Sequence, residues 1–171
     1  VKEIKTHHGA FSVTPRKGLR VVSLNTDFWY QYNFYAYINS ANPDFSGMLR
    51  FLTDELLDAE KDGDRVWIVG HVLTGWNGKE ALASPTNLFY QIVSRFAPHT
   101  LGAIYFGHTH EDQFEVFYFN DNGNDKSTDQ STEKAVSIAY IAPSITPYQN
   151  LNPTFRVYSV HPVTYEIMDY D

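Results

Sequence analysis

The sequence contains no cysteine. No disulfide is possible within its 171 residues, cysteine usage carries no signal of compartment, and a cysteine-rich structural zinc site is disfavoured. No apolar run approaches the ~20 residues that a transmembrane helix needs. The opening residues, Val1-Lys2-Glu3, have no signal-peptide pattern, since no apolar core follows them, and an initial valine suggests a chain cut from something longer. There is no Asn-x-Ser/Thr acceptor, because Asn152 is followed by Pro153. Basic charge is also scarce: 13 Lys and Arg stand against 20 Asp and Glu, for a net charge of −7 and a sequence pI near 5.4. This balance argues against binding to the backbone of a nucleic-acid duplex, which needs clustered cations. It does not exclude a phosphate-containing substrate where bound cations dominate the local field.

What is present is apolar and aromatic. A hydrophobic content of 43% and an aromatic content of 16% indicate a globular chain forming one domain or part of one. Residues 1–17 read as a polar, basic entry segment, with His7 and His8 in a solvated loop. Leu19 to Leu24 has the β-branched and apolar character of a strand, and Asn25 and Asp27 sit at its end. Phe28 to Tyr37 is dense in aromatics without a clean period. It reads as packed irregular structure, the alternative being an apolar wall for a lipid-like substrate. Ser46 to Lys61 shows a helical stripe of Met48, Leu49, Leu52, Leu56, Leu57 and Ala59. Asp44 or Ser46 is placed to cap it and Gly63 to stop it, and Asp54, Glu55, Asp58 and Glu60 form a solvated acidic face.

Val66 to Val69 is the next strand, completing a βαβ unit with a parallel pair. A polar loop over Gly75 to Ser84 leads to a helix over Thr86–Phe96, with Ser84 and Pro85 as its start signals. Leu88, Phe89, Ile92, Val93 and Phe96 form its buried stripe. His99 reads as structural. Leu101 to Phe106 is a central buried strand. Beyond it, 113–118, 135–142, 155–160 and 164–168 read as strands of mainly antiparallel character, with a polar loop over Asn120–Glu133. The expected class is α/β.

Two of these strands end alike. Val66-Trp67-Ile68-Val69 runs into Gly70-His71, and Leu101 to Phe106 runs into Gly107-His108-Thr109-His110. If the backbone stays extended past the strand, histidines at i and i+2 face one cleft. Three imidazoles, His71, His108 and His110, would then meet at one sheet edge, and neutral imidazole suits zinc and similar transition metals. The preceding glycines would let the backbone turn sharply or pass close to a bound group.

Gly-His-Thr-His, with an upstream strand ending in Gly-His, resembles the last two metal motifs of the calcineurin-like metallophosphoesterases. Longer strings resemble the acid sphingomyelinase-like branch: Gly107 to Tyr118 (GHTHEDQFEVFY), Ile141 to Tyr158 (IAPSITPYQNLNPTFRVY), Gly18 to Asn25 (GLRVVSLN) and Arg65 to His71 (RVWIVGH). The resemblance extends over nearly the whole chain and implies part of a two-sheet sandwich with flanking helices. That family opens its metal site with Asp-x-His, Gly-Asp and Asn-His motifs. Neither an Asp-x-His nor an Asn-His motif occurs in the sequence. The resemblance therefore implies that residues 1–171 are the C-terminal portion of a single catalytic domain, with the N-terminal half missing.

It further implies two zinc ions per full catalytic domain, with His71 and His108 on one ion, His110 on the other and Thr109 as a spacer. No catalytic acid is assigned within the chain. Glu111, Asp112 and Asn25 are the candidates for orienting the imidazoles, while Tyr148 and Asn150 either touch a headgroup or fix two turns. The implied activity is that of a phosphodiester hydrolase converting sphingomyelin to ceramide and phosphocholine. A nucleotide or other phosphodiester remains an alternative substrate, and a non-catalytic metal- or partner-binding fragment an alternative role. By the same resemblance the setting is secreted, endolysosomal or vacuolar, with a membrane surface admitted as partner. The chain alone is expected to bind zinc weakly or not at all and to lack hydrolytic activity.

Overall fold

The computed structural model describes residues 5–75, 79–119 and 130–171. Most of the loop expected over Asn120–Glu133, residues 120–129, lies outside the described residues, as do residues 76–78 of the loop before the second helix. Among the described residues, six strands form one sheet in the order β1-β2-β3-β4-β6-β5, and β7 and β8 form a second, two-stranded sheet. The strands are β1 (Phe11–Arg16), β2 (Leu19–Ser23), β3 (Arg65–Val69), β4 (Leu101–Phe106), β5 (Gln113–Tyr118), β6 (Ala135–Ile141), β7 (Tyr158–Val160) and β8 (Ile167–Tyr170). β2, β3, β4 and β6 run parallel, and β1 and β5 close the edges antiparallel.

Helix α1 (Met48–Asp62) connects β2 to β3, and α2 (Ala83–Phe96) connects β3 to β4. Their buried residues share one core with Val22, Val66, Ile68, Ile104, Phe106, Phe117 and Ile141, so both cover the same face of the sheet. Trp29 lies at the centre of that core, edge-on to Phe89 and Phe106, and its indole N–H donates to the Val72 carbonyl at 2.9 Å. The opposite face carries Trp67, Tyr105 and Tyr140; Trp67 packs on Tyr105, and Tyr105 and Tyr140 pack against Tyr158 and Tyr170 of the small sheet at centroid distances of 5.3 to 5.8 Å. Burial pushes the Tyr105 phenol well above its usual range. The α/β sandwich thus has an apolar core of aliphatic, Phe and Trp side chains under the helices and a tyrosine-rich layer under the second sheet.

Local signals explain the element ends. Asp44 accepts from the Leu49 and Arg50 amides at 3.0 and 2.8 Å, and Ser46 accepts from Met48, so both expected caps act on α1. Gly63 ends it in the left-handed conformation, with φ 76. The neighbouring Gly63-Asp64 pair is therefore a helix stop. Asp64 lies before β3, at the end of that strand opposite His71, and pairs with Arg20.

Several expectations need correction. α2 starts at Ala83, ahead of the Ser84-Pro85 signal, because the Leu82 amide is drawn to the Trp29 carbonyl at 2.7 Å and the chain turns there. β1 lies within the segment expected to be a polar entry loop. It is formed by a hairpin at Lys17-Gly18, where Gly18 has φ 84. The helix face expected to be wholly solvated is partly engaged, since Glu55 is held by Arg20 at 3.1 Å and Glu60 by Arg95 at 3.0 Å. The aromatic segment does not pack as a whole. Trp29 is buried and Phe28 and Tyr30 half-buried, but Tyr32 and Phe34 are 64% and 81% exposed, and Tyr35 and Tyr37 are also exposed. The last strands differ from the expectation: β7 covers only Tyr158–Val160, with Val157 exchanging backbone hydrogen bonds with Asp171 at 2.9 and 3.0 Å just beyond the ladder, and β8 begins at Ile167 because Tyr165 turns with φ 55.

Glu115 sits on the same face of β5 as the buried Phe117, and a Cβ at Gly75 would lie 2.6 Å from its carboxyl oxygen. Burial raises its pKa from 4.5 to about 7. Between these values the folded chain retains a proton that the unfolded chain has released, so this residue's stabilising contribution is full below pH 4.5 and is lost as pH rises towards 7. Replacing it as Glu115→Gln should leave urea stability at pH 4 nearly unchanged and raise stability at pH 8 by roughly 2 kcal/mol relative to the parent.

Candidate metal centre

The parallel strands deliver their carboxyl ends to one edge of the sheet, where open α/β sheets place ligands. The ladder continues past the strands. Leu24 N–H donates to Val69 at 2.8 Å, Gly70 N–H to Tyr105 at 2.9 Å, Gly107 N–H to His71 at 3.0 Å and Ala142 N–H to Phe106 at 2.8 Å. These bonds fix the offset between the end of β3 and the end of β4, and so between His71 and His108. Gly70 is required by space: a Cβ there would lie 2.6 Å from the Thr26 methyl and 2.9 Å from the Phe106 ring. The turn that follows is held by Thr26, buried at 1% exposure, whose hydroxyl oxygen accepts from the His71 and Val72 amides at 2.9 and 2.7 Å.

The imidazoles of His71 and His108 meet. Nε2 of His71 lies 3.3 Å from Nδ1 of His108, with ring centroids 5.1 Å apart and planes nearly perpendicular. His110 stands to the side. Its ring packs edge-on to Tyr148 at 5.7 Å, and its Nδ1 is buried without a hydrogen-bond partner. It is near enough for its charge to bear on His71.

The backbone reaches this arrangement by a route other than the extended one expected. His108 and His110 both have left-handed backbone, with φ 79 and 65, and Thr109 N–H folds back onto the Gly107 carbonyl at 3.0 Å. Such conformations cost a non-glycine residue on the order of 1–2 kcal/mol each. The sharp turn is thus taken by the histidines, while Gly107 has no positive φ. The Thr109 hydroxyl donates to Gln113, so this side chain is directed along β5 and not toward His71.

The far nitrogen of His108, Nε2, lies 2.9 Å from an oxygen of Glu80, and the two side chains are 19% and 21% exposed. Tyr30 lies edge-on to His108 at 4.8 Å. Partial burial depresses the His71 pKa, and the neighbouring His108 and His110 depress it further against the opposing pull of Asp27. The ring therefore favours the neutral form, which alone offers a lone pair.

The polar neighbours expected from sequence are otherwise engaged. Asn25 donates to the His8 carbonyl at 2.8 Å, Glu111 accepts from Gln113, and Asp112 pairs with the buried Arg156. Tyr148 reaches His110, whereas Asn150 occupies a turn with φ 63. His7 stacks on Phe51 at 4.6 Å and His8 packs near Phe28, so neither is simply solvated loop. Glu80 and Thr26 were not singled out by sequence. A threonine beside Asn25 at a strand end is the only local signal for Thr26, and Glu80 carries none.

The donor set fits a share of a metal site. Two imidazole nitrogens 3.3 Å apart match the separation of about 3.3 Å for nitrogens bound at zinc distances to one tetrahedral ion. The orphaned Nδ1 of His110 is a further unused donor. Among the described residues, no group of three or more His, Cys, Asp or Glu is arranged to hold an ion.

No family model matches the chain. Over 152 residues it is 41% identical to sphingomyelin phosphodiesterase of Bos taurus and 40% identical to that of Homo sapiens, covering 89% of this chain and 22% of each relative. Sphingomyelin phosphodiesterase 1 of Caenorhabditis elegans is 33% identical over 170 residues, covering 99% of this chain and 28% of the relative. The chain thus spans 22–28% of the length of these curated relatives. Among solved structures, a dimetal phosphatase from Danio rerio shares the fold with a TM-score of 0.50 at 11% identity, covering 78% of this chain and 48% of that one.

Thr26→Val should remove the acceptor for the His71 and Val72 amides while keeping the side-chain volume. The expected loss is about 2–4 kcal/mol in chemical denaturation, with Thr26→Ser retaining most of the stability.

Proposed function

We propose that this chain, homologous to a segment of the sphingomyelin phosphodiesterases at 33–41% identity, contributes part of the metal centre of a phosphodiester hydrolase. In this reading residues 1–171 are the C-terminal portion of a single metallophosphoesterase catalytic domain, the metal is zinc, and the substrate of the whole protein is sphingomyelin, cleaved to ceramide and phosphocholine in a secreted, endolysosomal or vacuolar setting. The observation that carries it is the approach of His71 Nε2 to His108 Nδ1 at the carboxyl edge of a parallel sheet.

His71 and His108 would hold one cation and His110 the other, through the nitrogens that face each other and the one left without a partner. A bound pair of divalent cations supplies Lewis-acid stabilisation of the charge that develops on a phosphodiester during in-line displacement. The chain's own contribution is placement. Thr26 fixes the turn bearing His71, the left-handed backbone at 108 and 110 aims two rings from one tetrapeptide, and the depressed His71 pKa keeps that ring available as a donor. The run of contacts from His108 through Tyr30 to the exposed Tyr32 supports a substrate with an apolar part beside its phosphate.

Three neutral imidazoles do not balance two dications, and a bridging carboxylate and a leaving-group acid are not assigned in this chain. Calorimetric zinc titration of the 171-residue chain should therefore show weak binding, with no turnover of sphingomyelin. A form extended upstream to include the remaining metal motifs should bind two zinc ions and release phosphocholine. In that form His71→Ala, His108→Ala and His110→Ala should each lower metal content and activity. Two tight sites in the short chain, or unchanged metal content in all three variants, would overturn the assignment.

A further inference from the structure

We propose that Glu80 is a positioning residue that fixes the tautomer and aim of His108. The carboxylate lies 2.9 Å from His108 Nε2, and a carboxylate at neutral pH can only accept. The proton of the neutral ring is therefore placed on Nε2, which leaves the lone pair on Nδ1, the nitrogen that faces His71. The same logic continues along the contact: a bare Nδ1 on His108 accepts from His71 Nε2–H when no cation lies between them. One arrangement of protons satisfies both contacts, and it begins at Glu80.

Glu80 is built into this position by its backbone. Its carbonyl accepts from the Gln31 amide at 2.9 Å, Ala81 forms an antiparallel bridge with Tyr30, and the Leu82 amide donates to the Trp29 carbonyl at 2.7 Å. Residues 80–82 are thereby pinned to the segment bearing Trp29, the largest fully buried side chain among the described residues. Tyr30 closes the other side of the His108 ring at 4.8 Å, so the imidazole is held between a fixed acceptor and a fixed aromatic edge. A carboxylate on the far nitrogen of a ligating histidine orients the ring and raises its basicity. That consequence rests on the metal reading above; the link between Glu80 and the His108 tautomer does not.

The test has two arms. In 15N-labelled, metal-free protein at pH 8, long-range proton–nitrogen spectra should show His108 protonated at Nε2 and bare at Nδ1. Glu80→Ala should give a mixture of tautomers, and Glu80→Gln, which keeps an acceptor oxygen, should restore the Nε2–H form. Protonation at Nδ1 in the parent, or an unchanged tautomer in Glu80→Ala, overturns the proposal. The second arm is a zinc titration of the upstream-extended form, in which Glu80→Ala should weaken binding 10- to 100-fold with Glu80→Gln intermediate. Tight binding that is equal in the parent and Glu80→Ala also overturns it. Absence of zinc binding in the parent removes the metal reading and leaves the tautomer result standing. Thermal melts of both variants identify any loss of fold.

Discussion

The hydrogen bond from the Gly107 amide to the His71 carbonyl carries the ladder of β3 and β4 beyond the strands themselves. It sets the two strand ends level, and the proximity of two imidazoles follows from it. Everything else at the edge serves this register. Gly70 permits the close pass of Thr26 and Phe106, Thr26 occupies the two amides that the departing chain exposes, and Trp29 anchors the segment from which Tyr30 and the pairing partner of Glu80 emerge. The core therefore reaches the edge through a short series of contacts, so a change in packing under α2 would be felt at the histidines.

The two faces of the main sheet divide the labour of the aromatic residues. Under the helices, Trp29, Phe89 and Phe106 fill a dry core. On the other face, tyrosines hold the small sheet through ring contacts. Arg156, lying over the Tyr170 ring at 4.6 Å and bonded to the Gln113 carbonyl at 3.1 Å, joins the second sheet to the strand that follows the histidine tetrapeptide. A third group, Tyr32 to Tyr37, stays largely exposed beside the histidine edge. Composition alone did not separate these three uses.

The legible parts of the chain are those whose signals are local. Apolar runs of strand length, a helical stripe capped by Asp44 and stopped by Gly63, and two runs ending in Gly-His are all visible in sequence, and they place His71 and His108 at one edge. The unread parts depend on partners far along the chain. β1 exists because Phe11 to Val13 finds β2 across a glycine turn, despite its polar surroundings. Glu80 lies 28 residues before His108, in a polar loop whose position comes from backbone pairing with residues 29–31. The left-handed turns at 108 and 110 have a different origin: histidine enters that region more readily than most residues but still as a minority conformation, so the residue type alone does not announce it and the surrounding packing decides.

Those two backbone conformations have a consequence for any attempt to improve the protein. A glycine at position 108 or 110 would relax the chain and delete an imidazole in the same stroke. Selection for thermal robustness alone, by directed evolution or by consensus of tolerant variants, would drift toward molecules that melt later than their parent and have lost one of these imidazoles.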